Sequence, residues 1–166
     1  MKIDSMQKLY AHELKDLYSA ENQILEALPK LIDTASDNEL TNHLKTHFEE
    51  TQSHVKRLEM IFKDMEFAPG GHRCRGMEGL VSEGRNLLDD VEDAKVIDAA
   101  IIAICQRMEH YEIAGYGVAR AFADKLGRGT DVEALTETIE EEGACNRRLS
   151  QLAEHHINFV ATTTGA

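Results

Sequence analysis

MEHYEIAGYG, residues 108–117, follows the largely apolar IIAICQR of 101–107, and the two together read as one long, mostly buried helix. At the middle of that helix stand two glutamates, Glu109 and Glu112. Burying a carboxylate without a partner is among the costlier things a fold can do. Either these two face water or something positive meets them. Stepping 100° per residue, Glu112 falls about 20° from Cys105 and Glu109 about 40° from it on the other side. Ile101, Tyr116 and Ala119 lie on the same arc, so both glutamates belong to the apolar face.

Working outward, the periodicity predicts four long helices and one short one. The first spans about Asp4 to Thr34, with a kink expected at Pro29, and Ser-Asp-Asn at 36–38 ends it. The second spans about Glu39 to Glu66 and stops at APGGH. A short helix over Arg75 to Asp90 precedes the helix of Glu109 and Glu112, which spans Ala94 to Leu126 and stops at LGRG. The last runs to about Phe159, with Thr130 or Asp131 as its expected cap. Helices of about thirty residues are roughly 45 Å long. Two tight hairpins joined by one long crossover predict an all-α, ferritin-like four-helix bundle with a short additional helix in the crossover. One domain over 1–161 and a frayed tail at 162–166 complete the expectation.

Other helices carry acids on their apolar faces too. Glu21 sits among Leu14, Leu17, Ile24 and Leu28, and Glu142 is centred on the stripe of Leu135, Leu149, Ala153 and Val160. His43, His47, Glu50 and His54 line one flank of the second helix at spacings of four, three and four. Height along the bundle ties these together. From the first turn near residue 36, Glu21 is fifteen positions back, and Glu50 and His54 are fourteen and eighteen on. From the second turn near 128, Glu112 and Glu109 are sixteen and nineteen back, and Glu142 and Asn146 fourteen and eighteen on. Any one of these acids alone would read as a boundary residue or an ion pair. Agreement in face and height makes one polar layer, and like charges that close cannot all ionise without cations. Two divalent metals in an oxygen-rich cage resolve the repulsion.

Composition narrows the partners. The 166 residues carry a net charge of −12, which disfavours nucleic acid and anionic membrane surfaces. HRCR at 72–75 is the single basic patch and reads as a solvated loop. The longest apolar run, AAIIAIC at 99–105, is too short to span a bilayer, and the N-terminus has no apolar signal core. Three cysteines without paired spacing fit a reducing, cytoplasmic setting.

LKDLYSAENQIL at 14–25, HFEETQSHVKRLE at 47–59, CRGMEGLVSEG at 74–84, EHYEIAGYG at 109–117 and EEEGACNRRLSQLAE at 140–154 together resemble the YciE/YciF family of ferritin-like bacterial stress proteins. The resemblance implies a ferritin-like bundle, a homodimer and a rubrerythrin-like di-metal centre with Glu21, Glu50, Glu109, Glu112 and Glu142 as ligands, and His54 where the family has His or Gln. The wider ferritin pattern, Glu-x-x-His on two helices, is not kept: Ser53 follows Glu50 and Cys145 follows Glu142 at the third position. A nitrogen-poor centre favours iron or manganese over zinc or copper. His47, Asn146, Cys145 and Tyr116 are the subsidiary candidates, as ligands or as groups that orient them. Cys145 reads more simply as a small buried residue, and Tyr116 as core with its hydroxyl satisfied. Peroxidase, catalase or ferroxidase chemistry with peroxide or dioxygen is the expected function. The competing expectation is a helical homodimer that acts by protein interaction around a structural or vestigial metal site.

Overall fold

The computed structural model describes residues 2–163. All regular structure among them is helical: α1 (Met6–Thr34), α2 (Asn38–Asp64), α3 (Arg75–Asp90), α4 (Ala94–Lys125), α5 (Gly129–Leu152), a π-helical turn (Ala153–Ile157) and α6 (Asn158–Thr162). Side-chain caps set most starts. Ser5, Asp37 and Asp93 accept from the backbone N–H groups of Lys8, Leu40 and Lys95. At α3 the cap is Cys74, whose sulfur accepts from Met77 N–H at 3.3 Å.

Three expectations change. α5 has no side-chain cap, because Gly127, in the left-handed region at φ 70°, turns the chain so sharply that the helix starts at Gly129. Asp131 instead lies inside its first turn, buried, where it accepts from Tyr10 Oη at 2.9 Å and from Arg128 Nε. The last helix does not run unbroken to Phe159. The wider π turn brings Leu152 and Ile157, five apart, onto the same buried side. α1 continues through Pro29 to Thr34, with the lost N–H falling in its last turns. Of the tail expected to fray, 164–166 lie outside the described residues.

α1 packs on α2 and α4, and α5 packs on α2 and α4, closing a four-cornered bundle. Asp98 of α4 fixes the α1–α2 turn by accepting from Ser36 N (2.8 Å), Ser36 Oγ (2.5 Å) and Asp37 N (3.0 Å). The crossover from α2 to α4 returns along the bundle, and its α3 covers the α1–α4 side.

The buried apolar residues fall into two clusters rather than one. The first contains Ala20, Ile24 and Leu28 of α1, Leu40 and Leu44 of α2, Ile101, Cys105 and Met108 of α4, and Cys145 and Leu149 of α5. The second contains Leu14 and Leu17 of α1, Leu58 and Phe62 of α2, Tyr116 and Ala119 of α4, and Leu135 of α5. On every one of these four helices the break between clusters falls at the same level. α1 and α5 run from the second cluster to the first, and α2 and α4 run the other way, so the long crossover connects opposite ends.

Candidate metal centre

What fills the break is polar. Glu21, His47, Thr51, His54, Glu109, Glu112, Thr138 and Glu142 are all buried, and Glu21, Glu109, Glu112 and Glu142 are 0% exposed. Three overlapping groups have ligand atoms within 4.8 Å of one another: Glu21, His54 and Glu142; Glu109, Glu112 and Glu142; and His47, Glu109 and Cys145. His54 Nδ1 lies 2.9 Å from Glu142 Oε1 and 3.3 Å from Glu21 Oε1, and His47 Nε2 lies 3.2 Å from Glu109 Oε1. Tyr116 donates its hydroxyl to Glu21, and its ring meets that of His54 edge to face at 6.4 Å.

The layer does not satisfy itself. Glu21 Oε2, His47 Nδ1, Glu109 Oε2, both oxygens of Glu112 and Glu142 Oε2 have no hydrogen-bond partner and no ion-pair contact among the described residues. At roughly 1–3 kcal/mol for each unsatisfied buried atom, this penalty is on the order of the 5–15 kcal/mol that typically separates folded from unfolded protein. Protons offset part of it. Burial, then the negative fields of Glu142 for Glu109 and of Glu21 for Glu112, push both carboxyls well above the usual carboxylate range. Burial alone would lower His54, but bonding to Glu142 and Glu21 and their charge push it up to about 11. Burial likewise works against the Glu142 carboxylate, yet the close approach of His54 holds it below its ordinary value. The layer thus carries protons on buried carboxyls that would otherwise repel one another.

His54 is oriented from behind. Its Nε2 lies 2.9 Å from Glu141 Oε2, and Glu141 in turn takes a charged fork from Arg57, which also reaches Glu137 at 2.7 Å. The ring therefore turns Nδ1 into the layer. Neither Glu141 nor Arg57 was among the sequence candidates, since EEE at 140–142 gives no hint of which glutamate turns outward.

Of the sequence candidates, Glu21, His54, Glu109, Glu112 and Glu142 converge, together with His47 and Cys145, and Tyr116 lies against them. Glu50 is not within the three groups. It is half-buried, close enough to feel Glu141, His54 and Glu142, and the inward position of its turn is taken by Thr51, whose hydroxyl donates to His47 O. Asn146 accepts from Gln106 Nε2 at 3.1 Å instead of joining the layer.

A second network was missed. HRCR is only partly a solvated loop: Arg73 and Arg75 pair with Glu78, but Cys74 is fully buried. Asp16 receives Tyr111 Oη at 2.7 Å, Cys74 Sγ at 3.0 Å and His72 Nε2 at 2.8 Å, which ties the start of α3 to α1 and α4. These bonds to its carboxylate outweigh the burial that opposes them and lower Asp16 below its usual value.

Comparison with known proteins places the chain in a family and a fold. A family model described as Domain of unknown function (DUF892) matches residues 5–162. Protein YciF of Escherichia coli K12 is 35% identical over 162 residues, covering 97% of this chain and 98% of its own. The crystal structure of that E. coli stress protein superposes with a TM-score of 0.89, covering 94% of this chain and 99% of its own. YcfI of Rhodopseudomonas palustris, put forward as a structural protein, is 42% identical with a TM-score of 0.87, over 90% of this chain and 95% of its own. A ferritin-like, diiron-carboxylate protein of Bacillus anthracis, 16% identical, shares the fold at a TM-score of 0.71, over 90% of this chain and 99% of its own. No helix among the described residues is long and apolar enough to cross a membrane. The chain belongs to the DUF892 family, that of the stress protein YciF, and has the ferritin-like all-α fold.

Proposed function

We propose that the polar layer holds two divalent metal ions, iron or manganese, and that the protein reacts with peroxide or dioxygen, or oxidises iron, under stress. The observation that carries this reading is the convergence of four fully buried glutamates and two imidazoles from all four long helices, with several of their atoms left unpartnered. Those donors fit hard dications: carboxylate oxygens predominate, and nitrogen is scarce. Glu21, His54 and Glu142 would hold one ion and Glu109, Glu112 and Glu142 the other, with Glu142 common to both groups. Two such ions, when bound, would supply Lewis acidity and a shared store of electrons.

The chain's own contribution is positioning. The Tyr116 hydroxyl fixes one oxygen of Glu21, and the Arg57–Glu141 pair fixes His54 so that Nδ1 is the ligating nitrogen. The apolar clusters on either side exclude water from the layer. Glu50, half-buried, flanks the layer within reach of the fields of Glu141, His54 and Glu142. A homodimer in the cytoplasm, with no nucleic acid and no membrane partner, belongs to the same proposal. A purely structural role, as put forward for the R. palustris protein, leaves the unpartnered carboxylates without a purpose.

Anaerobically iron-loaded protein mixed with peroxide or air tests this. Ferric absorption should rise faster than in free ferrous solution, and Glu112→Met should abolish the acceleration. A rise no faster than that of free iron overturns the redox reading.

A further inference from the structure

We propose that the two ends of the layer differ in kind: the ion assigned to Glu109 and its neighbours is also met by His47 and Cys145, which form a group with the same Glu109, and Cys145 binds a borderline-soft dication there as thiolate. This rests on the layer being a metal centre and goes beyond it, because it assigns different metal preferences to the two subsites. Cys145 Sγ lies 3.3 Å from Glu109 Oε1, and Glu109 Oε1 lies 3.2 Å from His47 Nε2. Those spacings approach the edge, roughly 3.3–3.7 Å, of a tetrahedron drawn around zinc with ordinary nitrogen, oxygen and sulfur bonds.

An independent observation points the same way. His47 is 1% exposed, and neither ring nitrogen makes a hydrogen bond. A buried imidazole rarely goes unsatisfied unless it is a ligand. Cys145 also occupies the third position after Glu142, where the wider ferritin pattern carries its second histidine. Behind the sulfur, His43 Nε2 stands 3.3 Å away on the half-buried flank of α2. When a dication binds, the S–H bond breaks, sulfur keeps the electron pair for the new bond, and the proton leaves to solvent by way of His43. Imidazole plus thiolate favours zinc or cobalt here, whereas the Glu21, His54 and Glu142 group retains a preference for harder ions.

Anaerobic cobalt(II) titration of the full chain tests the assignment by absorption. The parent should bind about two equivalents and develop a near-ultraviolet sulfur-to-cobalt charge-transfer band; Cys145→Ser should lose the band and about one equivalent. Cys74→Ser should keep the band. X-ray absorption of the zinc-loaded parent needs no variant and should find one sulfur at about 2.3 Å. Cobalt bound with only ligand-field bands, zinc with no sulfur neighbour, or a band that survives Cys145→Ser overturns the proposal and leaves the metal centre standing. No uptake of cobalt or zinc, iron or manganese overturns both.

Discussion

Glu112→Met separates a metal ligand from a structural acid. Both Glu112 oxygens are buried without a partner, so in the metal-free protein the side chain brings desolvation cost and repulsion from Glu21, Glu142 and Glu109. Methionine has similar length and no charge. Removing the unsatisfied group should raise metal-free stability by about 1–3 kcal/mol. For a chain of this size that is roughly 2–12 °C in Tm, at 2–4 °C per kcal/mol. Metal reverses the order: at a free concentration 100 times Kd, one site adds about 2.7 kcal/mol to the parent and nothing to a variant that cannot bind. Thermal unfolding of both proteins, in chelator and then with manganese, reads the two effects directly. The variant should melt higher in chelator, and manganese should raise the parent by more than the variant. A chelated variant that melts several degrees below the chelated parent refutes the reasoning, because Glu112 would then support the fold without metal.

The pH profile of the chelated protein should show the same repulsion. Glu109 and Glu112 have folded values raised well above 4.5, so at these groups the folded state binds more protons and their contribution to stability falls as pH rises from about 5 to 8. His43 and His47, lowered by burial, pull the other way at the acid end, so the test is the difference. Denaturant midpoints should fall more steeply with pH, or rise less, in the parent than in Glu112→Met, and equal slopes contradict the assignment. Tyr116→Phe removes the hydroxyl held by Glu21 and should cost about 1.5–3 kcal/mol, measured by chemical unfolding, with an unchanged melt as the contrary result. Gly76→Ala would place a Cβ 2.6 Å from the Tyr111 ring and 2.8 Å from its hydroxyl. Overpacking there should cost about 1–3 kcal/mol and speed amide exchange over 75–90 while sparing α2 and α5; uniform protection would show that the Asp16 network does not anchor α3.

Much of this was legible in the sequence, for reasons tied to particular residues. Glu21, Glu109, Glu112 and Glu142 interrupt otherwise apolar stripes, and counting from the two tight turns brings them to one height. Helix α2 resisted the same treatment. Its polar flank is wide: on a wheel of 100° steps Thr51 falls within the stripe of Leu40, Leu44 and Leu58, and Glu50 about 90° from its centre. Matching height and the family resemblance, not the face, put Glu50 in the layer. Glu141 was hidden by its neighbours Glu140 and Glu142, and it becomes visible only when Arg57 and His54 from another helix meet it. Cys74, His72, Asp16 and Tyr111 join three separate segments, a coincidence that periodicity within one helix does not encode. The expected cap at Thr130 or Asp131 failed because Gly127 ends the preceding helix abruptly, leaving Asp131 free to turn inward toward Tyr10.

The central claim is that the buried carboxylates are a metal site, and its most direct measurement is elemental analysis of protein purified without added metal and again after anaerobic loading with iron or manganese. About two equivalents per chain, with at least one lost in Glu112→Met, is the predicted result; a chain that binds none even after loading contradicts the account.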